Sequence, residues 1–183
     1  VDSAGNAYIT GSSWSTDFPT TEGALDRGLS GGRDAFAAKL NPDGSELVYG
    51  TYLGGNSWDY GLTIAADSAG NAYVGGFTHG GFPITPGVVQ PIFGGGNDGF
   101  IAKLNPSGSQ LVYSTYLGGS QPDGIAGIAG PYVAGYFKDA AKAAVNLVKD
   151  NQYTRIGFVA MDVISASFYR YFTENLSEID CLN

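Results

Sequence analysis

Residues 2–11 read DSAGNAYITG, and nearly the same ten residues, DSAGNAYVGG, return at 67–76. The second copy begins 65 positions after the first. In each copy a run of Asp, Ser, Gly and Asn precedes apolar and aromatic residues, which is typical of a tight turn that leads into a β-strand. The stretch therefore predicts a strand, and its return predicts a protein built from repeated units.

A second pair of matching segments gives the length of the unit. Residues 34–55, DAFAAKLNPDGSELVYGTYLGG, match residues 98–119, DGFIAKLNPSGSQLVYSTYLGG, at a spacing of 64. Along these segments apolar residues alternate with small or polar ones, which predicts antiparallel sheets with one buried and one exposed face. We predict four antiparallel strands within one unit, at residues 60–66, 71–77, 99–104 and 110–117. A repeated unit of four antiparallel strands predicts a β-propeller blade.

Four segments carry a family resemblance. In chain order, DSAGNAYITG, DFPTT, DAFAAKLNPDGSELVYGTYLGG and DYGLTIAADSAGNAY resemble the bacterial β-propeller repeat family SBBP, over about residues 1–137. Members of that family are propellers of large secreted or cell-surface proteins. The resemblance therefore implies a propeller fold and an extracellular or cell-surface location, and it implies no reaction.

The predicted fold class is mainly β, with about two and a half antiparallel propeller blades and a short α/β or helical C-terminal tail. The blade units span about residues 1–59, 60–123 and, in part, 124–137, and a helix–strand–helix tail follows at 138–183. A closed propeller uses roughly four to eight blades. We therefore expect the chain to be part of a longer protein or to form a homo-oligomer.

Composition excludes several classes of function. The net charge of −8 argues against a nucleic-acid partner, because phosphate binding requires clustered Lys and Arg. No apolar run approaches the roughly 20 residues of a membrane span, so we expect no membrane insertion. The single cysteine, Cys181, excludes an internal disulfide and a multi-cysteine zinc site. We expect no cofactor.

The repeated turn sequence has oxygen-bearing side chains that could suggest calcium, but it lacks the ligand spacing of an EF-hand loop. We interpret it as a hairpin turn in which Asp and Asn cap backbone groups and Gly takes a positive φ angle. We expect no metal there. The predicted structural turn residues are Asp2, Gly5, Asn6, Asp67, Gly70 and Asn71.

Aromatic residues beside glycine-rich loops are the best candidates for ligand binding. Trp14, Trp58 and Tyr60 lie close in sequence to the carboxylates of Asp17 and Asp59. Exposed tryptophan with acidic neighbours suits stacking on a sugar. The alternative is that these rings pack between blades.

Catalytic residues are not evident in the sequence. His79 is the only histidine, and no GxSxG elbow or comparable context accompanies it. Asp34 and Asp98 precede equivalent strands, which favours a structural role repeated with the blade over a catalytic one. We therefore predict that the chain is not an enzyme.

The sequence leaves three functions open, in order of preference. The first is a non-catalytic secreted or cell-surface scaffold or recognition module that binds a glycan or a protein. The second is a structural subunit that assembles through exposed blade edges into a ring or filament. The third is an enzyme domain with a pocket at the propeller axis, which the fold alone does not establish.

Overall fold

A computed structural model describes residues 1–129 and 132–137 of the chain, and the predicted tail at 138–183 lies outside these residues. The described part consists of strands, turns and loops. Its nine strands are β1 Ala7–Ser13, β2 Asp34–Leu40, β3 Leu47–Leu53, β4 Asp59–Ala66, β5 Ala72–Thr78, β6 Asp98–Leu104, β7 Leu111–Leu117, β8 Asp123–Ala129 and β9 Tyr132–Phe137.

The strands form three antiparallel sheets that follow the chain. The first sheet has the order β1-β2-β3, the second β4-β5-β6-β7, and the third pairs β8 with β9. The second sheet confirms the predicted blade of four antiparallel strands, and its strands lie within one residue of the predicted limits. The first blade unit was predicted to end at residue 59, but Asp59 is the first residue of β4 and belongs to the second sheet.

The repeat is also visible in strand register. Ser13 lies opposite Asp34 in the first sheet, and Thr78 lies opposite Asp98 in the second. Both sheets have a bulge after the lysine of the DAFAAKL or DGFIAKL strand. Equivalent positions in the two blades therefore have equivalent backbone surroundings, so differences between their side chains can be compared directly.

The sequence predicts one exposed face for each sheet, and this prediction is wrong for β6 in the second blade. Every residue of β6 is buried, including Lys103. Because a blade lies against each side of this sheet, both faces of the strand are covered. The second blade's own loop adds to this cover, since Phe82 stacks on the ring of Phe100 in β6 with 3.9 Å between centroids.

Two apolar clusters join the blades. The larger one includes Tyr49 and Leu53 from the first blade and Val74, Phe100 and Leu104 from the second. A smaller one joins the second blade to the third and consists of Ile101, Leu117 and Ile125. Burial of these side chains is the main stabilising term for stacked repeats, since one blade cannot cover its own faces.

The first two blades approach each other closely at two glycines. A Cβ atom on Gly61 of β4 would collide with Thr10 and with the backbone of Gly11 in β1. Glycine at position 61 therefore lets β4 lie directly against β1. This approach brings the side chains after Gly11 next to Tyr60.

Candidate functional site

A partly exposed group of aromatic and basic side chains lies at the junction of the first two blades. We call it the junction patch, and it consists of Trp14, Arg33, Trp58, Tyr60 and His79. Trp14 and Arg33 come from the first blade. In the second blade, Trp58 directly precedes β4, Tyr60 belongs to β4 and His79 directly follows β5. The indole rings of Trp14 and Trp58 are 64% and 51% exposed, so the patch is open to a ligand.

Arg33 lies at the centre of the patch. Its guanidinium carbon is 3.7 Å from the centroid of the Trp14 ring and 4.0 Å from that of Tyr60, so the guanidinium group lies between the two rings. Its Nε–H donates a 2.9 Å hydrogen bond to Oγ of Ser12 in β1. These three contacts fix the long side chain in one orientation before any ligand arrives.

The backbone fixes the same junction. Asp59 N–H donates to the carbonyl oxygen of Arg33 at 2.8 Å, and residues 33 and 58 form an isolated parallel bridge. The N–H of His79 donates to the carbonyl oxygen of Trp58 at 3.0 Å. The segments that carry the patch are thus tied to one another rather than carried on independent loops.

Ring contacts support the second-blade side of the patch. Tyr60 stacks on Phe77, its partner across β4 and β5, with 4.4 Å between centroids and 14° between planes. Trp58 meets the exposed His79 edge to face at 5.8 Å. Arg33 is therefore backed on one side by a stacked pair and covered on the other by Trp14.

The patch does not recur at the next junction. The strand register makes Trp14 equivalent to His79. The 64-residue spacing gives the equivalents of Arg33, Trp58 and Tyr60 at the junction of the second and third blades. Asn97 stands where the first junction has Arg33, Pro122 where it has Trp58 and Gly124 where it has Tyr60. Side chains needed for blade packing repeat with the blade, whereas these do not, so packing alone does not account for them.

The structure separates the predicted binding residues into two groups. It brings Trp14, Trp58 and Tyr60 together in the patch, and it leaves Asp17 exposed with no hydrogen bond or ion pair to any described residue. Asp59 is fully buried, and its Oδ2 accepts a 2.8 Å hydrogen bond from Gly55 N–H. The carboxylate of Asp59 is therefore turned away from any ligand on the patch.

Buried carboxyl groups meet beneath the patch. A Cβ on Gly54 would lie 2.8 Å from Oδ1 of Asp34 and 2.7 Å from Oδ2 of Asp59, so the two carboxyls face the same point. Asp34 Oδ2 accepts a 2.8 Å hydrogen bond from Ser30 N–H, and Oδ1 has no partner among the described residues. Burial, with a smaller contribution from the nearby Asp59 and against the effect of the Ser30 bond, raises the pKa of Asp34 to about 6.

The same pair occurs once more in the described chain. Asp98 and Asp123 meet beside Gly118, as their equivalents meet beside Gly54. Asp98 Oδ2 accepts from Gly94 N–H at 2.7 Å, and burial raises the pKa of this carboxyl as well. Because the pair repeats with the blade, it belongs to the junction's structure, as the sequence predicts for Asp34 and Asp98.

The Asp and Asn side chains of the DSAGN turns bond to groups of the same turn, and the Asp side chain also lies beside a lysine. Asp67 Oδ1 accepts from the backbone N–H groups of Ala69 and Asn71, and the Asn71 amide donates to both carboxylate oxygens. Gly70 has a φ of 83°, and Lys103 lies 3.3 Å from Asp67 Oδ2.

The first copy of the turn has the same contacts. Gly5 has a φ of 87°, Lys39 lies 3.7 Å from Asp2 Oδ2, and hydrogen bonds led by the Asn6 side chain lower the pKa of Asp2 to about 2. These aspartates hold a turn and a lysine.

Two members of the patch were missed from the sequence. Arg33 lies 19 residues after Trp14 and 27 before Tyr60, so no local pattern joins them. His79 was identified only as a loop residue. The available signal was their departure from the repeat, because Arg33 aligns with Asn97 and His79 with Trp14.

In residues 1–129 and 132–137, no three His, Cys, Asp or Glu side chains lie close enough together to hold a metal ion. The same residues contain no helix with the length and apolarity to cross a membrane.

A comparison with protein families agrees with the architecture. The family model of the β-propeller repeat SBBP matches residues 1–19 and 48–83, which include β1, β4 and β5. No curated protein matches the chain. The second matched segment also contains most of β3, so it runs from the end of the first sheet into the second. Two segments of the chain therefore match the SBBP β-propeller repeat, in agreement with the mainly-β, antiparallel architecture.

Proposed function

We propose that the chain is a non-catalytic recognition module of a secreted or cell-surface bacterial protein, in which the blades hold the junction patch toward a glycan or protein ligand. Repeated, tightly packed sheets provide a rigid support for a small set of exposed side chains. The family resemblance supports the location. The single observation that carries the proposal is the guanidinium of Arg33, which lies between two rings and has no ion pair with any residue that the structure describes.

The Arg33 side chain is preorganised for binding. A mobile arginine loses side-chain entropy when it binds a ligand, and stacking and the Ser12 bond have already removed part of that freedom. Trp14 and Trp58 offer large exposed apolar faces beside it. Aromatic and arginine side chains dominate the binding energy of most interfaces, so this combination is a suitable centre for one.

The experiment is a glycan-array and affinity measurement on the wild-type chain, Trp14→Ala and Trp58→Ala. We expect at least a tenfold loss of affinity in each variant, because removal of one central tryptophan costs about 1.4 kcal/mol or more. Ile92→Ala is the matched control, since Ile92 is 77% exposed and lies in the second blade's long loop. Unchanged binding by both tryptophan variants would remove the patch from the function.

A second candidate function is self-association through a strand edge. Within the described residues β1 pairs only with β2, whereas its counterpart β5 pairs with both β4 and β6. An edge strand with unpaired backbone groups can accept a strand from another copy.

Light scattering coupled to gel filtration tests this candidate. An oligomer that dissociates in Ile9→Lys, which adds a charge to β1, but persists in Val112→Lys would favour it. A wild-type monomer near 19.0 kDa would exclude it.

A further inference from the structure

We propose that the junction patch binds an acidic sugar, a pyranose ring bearing a carboxylate as in a hexuronic acid, with the carboxylate paired to Arg33. This inference rests on the proposed function and adds the class of ligand. Its first basis is charge. The described residues contain four basic side chains, and Lys39 and Lys103 pair with the turn aspartates. Arg33 is half-buried and has no ion pair within residues 1–129 and 132–137.

In the part of the chain that the structure describes, Arg33 is a partly desolvated cation without an ion pair, although acidic groups outnumber basic ones by 17 to 9 in the full sequence. The adjacent carboxyl of Asp34 is buried and makes no ion pair with Arg33, and the carboxylates beside the tryptophans of the patch make none either. Asp59 points inward to Gly55 N–H, and Asp17 makes no contact with the patch. A charge that the fold holds in place without neutralising it is available to an anionic ligand.

The geometry of the guanidinium favours a carboxylate over other anions of diffuse charge. Trp14 and Tyr60 cover its two faces, and Ser12 takes the Nε–H, so only the edge with the terminal nitrogens remains. Those nitrogens have no hydrogen-bond partner among the described residues. A planar carboxylate matches two parallel N–H donors on such an edge.

The rings around Arg33 favour a sugar as the carrier of that carboxylate. Trp14 and Trp58 are more than half exposed, and an indole ring can stack on the apolar C–H face of a pyranose. His79 and Tyr60 add polar atoms at the edge of the same patch that can bind hydroxyl groups. A hexuronic acid has the ring, the hydroxyls and the carboxylate in one residue, whereas an acidic peptide lacks the flat C–H face.

The test compares acidic sugars with their neutral counterparts on the full 183-residue chain. The probes are oligomers of glucuronic, galacturonic and mannuronic acid and the carboxyl-reduced form of each, which keeps the ring and hydroxyls but loses the charge. Isothermal titration measures each affinity. We expect at least one acidic oligomer to bind about ten- to a hundredfold more tightly than its reduced form, as expected for charge-assisted bonds to a carboxylate.

Three variants assign the effect to Arg33. Arg33→Gln should bring acidic and reduced oligomers to equal affinity, and Arg33→Lys should recover only part of the difference, because an ammonium group lacks the planar edge. Arg27→Gln is the matched control, since Arg27 is an exposed arginine of the same loop with no contact to the patch. It should keep the full difference. The acid-to-reduced ratio of the wild-type chain tests the proposal even if an Arg33 variant fails to fold.

The outcomes separate this inference from the proposed function. If acidic and reduced oligomers bind equally and both lose affinity in Trp14→Ala, the recognition module stands and the acidic-sugar inference is overturned. If no oligomer of the panel binds, or if an acidic peptide binds at Arg33 and the sugars do not, the inference is likewise overturned. An acidic preference that survives Arg33→Gln would also overturn it, because a group other than Arg33 would then bind the sugar carboxylate.

Discussion

Replacing Asp34 with Asn is expected to stabilise the chain above about pH 6. The side chain is fully buried, with Ser30 N–H on one oxygen, no partner on the other, and the carboxyl of Asp59 nearby. At neutral pH the folded chain must therefore hold a buried charge close to a second carboxyl. Asparagine keeps an oxygen for the Ser30 bond and offers an N–H₂ group to Asp59, without the charge.

The magnitude follows from the pKa of Asp34. A rise from 3.8 to about 6 corresponds to about 3 kcal/mol, at about 1.4 kcal/mol per pKa unit. Solvent screening near the surface reduces this, so we expect Asp34→Asn to gain about 1–2 kcal/mol at pH 8. Because the folded pKa is raised, the carboxyl's favourable contribution is complete below pH 3.8 and is lost as the pH rises through about 6. The gain should therefore shrink toward zero near pH 4.

The assay is urea unfolding at about pH 4 and pH 8, followed by the fluorescence of Trp14 and Trp58. Asp43→Asn is the control, because Asp43 is exposed and hydrogen bonds from Ser45 lower its pKa. It should show no gain at pH 8. If Asp34→Asn instead loses stability at pH 8 but not at pH 4, the ionised carboxylate is stabilised by a partner, and the reasoning about the buried pair is wrong.

Two further substitutions test packing between and within the blades by the same assay. Gly54→Ala places a methyl group 2.6 Å from the carboxyl carbon of Asp34 and should destabilise the fold by about 1–3 kcal/mol, whereas Gly28→Ala, with open space around it, should change stability by less than about 0.5 kcal/mol. A tolerated Gly54→Ala would mean that the carboxyls can separate. Phe100→Ala removes a fully buried ring and should cost about 3–5 kcal/mol, against less than about 0.5 for the half-exposed Val112→Ala, and equal effects would contradict the described core.

Local features of the fold were predictable from the sequence because their causes are local. The DSAGN and NPSGS turns are determined by residues within five positions of one another, as the bonds from Asp67 to Ala69 and Asn71 illustrate. Strand limits followed from those turns. The burial of β6 on both faces was not predictable, because alternation within one strand does not reveal that a blade covers each side.

The candidate site was predictable only in part, for the same reason. Trp14, Trp58 and Tyr60 were identified by residue type and by their position beside glycine-rich loops, but Arg33 reaches them through the contact between two blades. The inward direction of Asp59 was hidden as well, since it depends on the turn at Gly55 and on Asp34 from the neighbouring blade. Contacts between units require the stacking geometry, which a single repeat does not encode.

The buried carboxyl pair occurs at both described junctions, whereas the arginine between its rings occurs at one. The backbone positions of Asn97, Pro122 and Gly124 are therefore equivalent to those of Arg33, Trp58 and Tyr60. Under the proposed function, a few exchanged side chains would create or remove a ligand site at a junction without a change in the blade. In an array of such blades, the number of bound ligands would then be set by the number of junctions that carry the patch, and different junctions would bind different ligands.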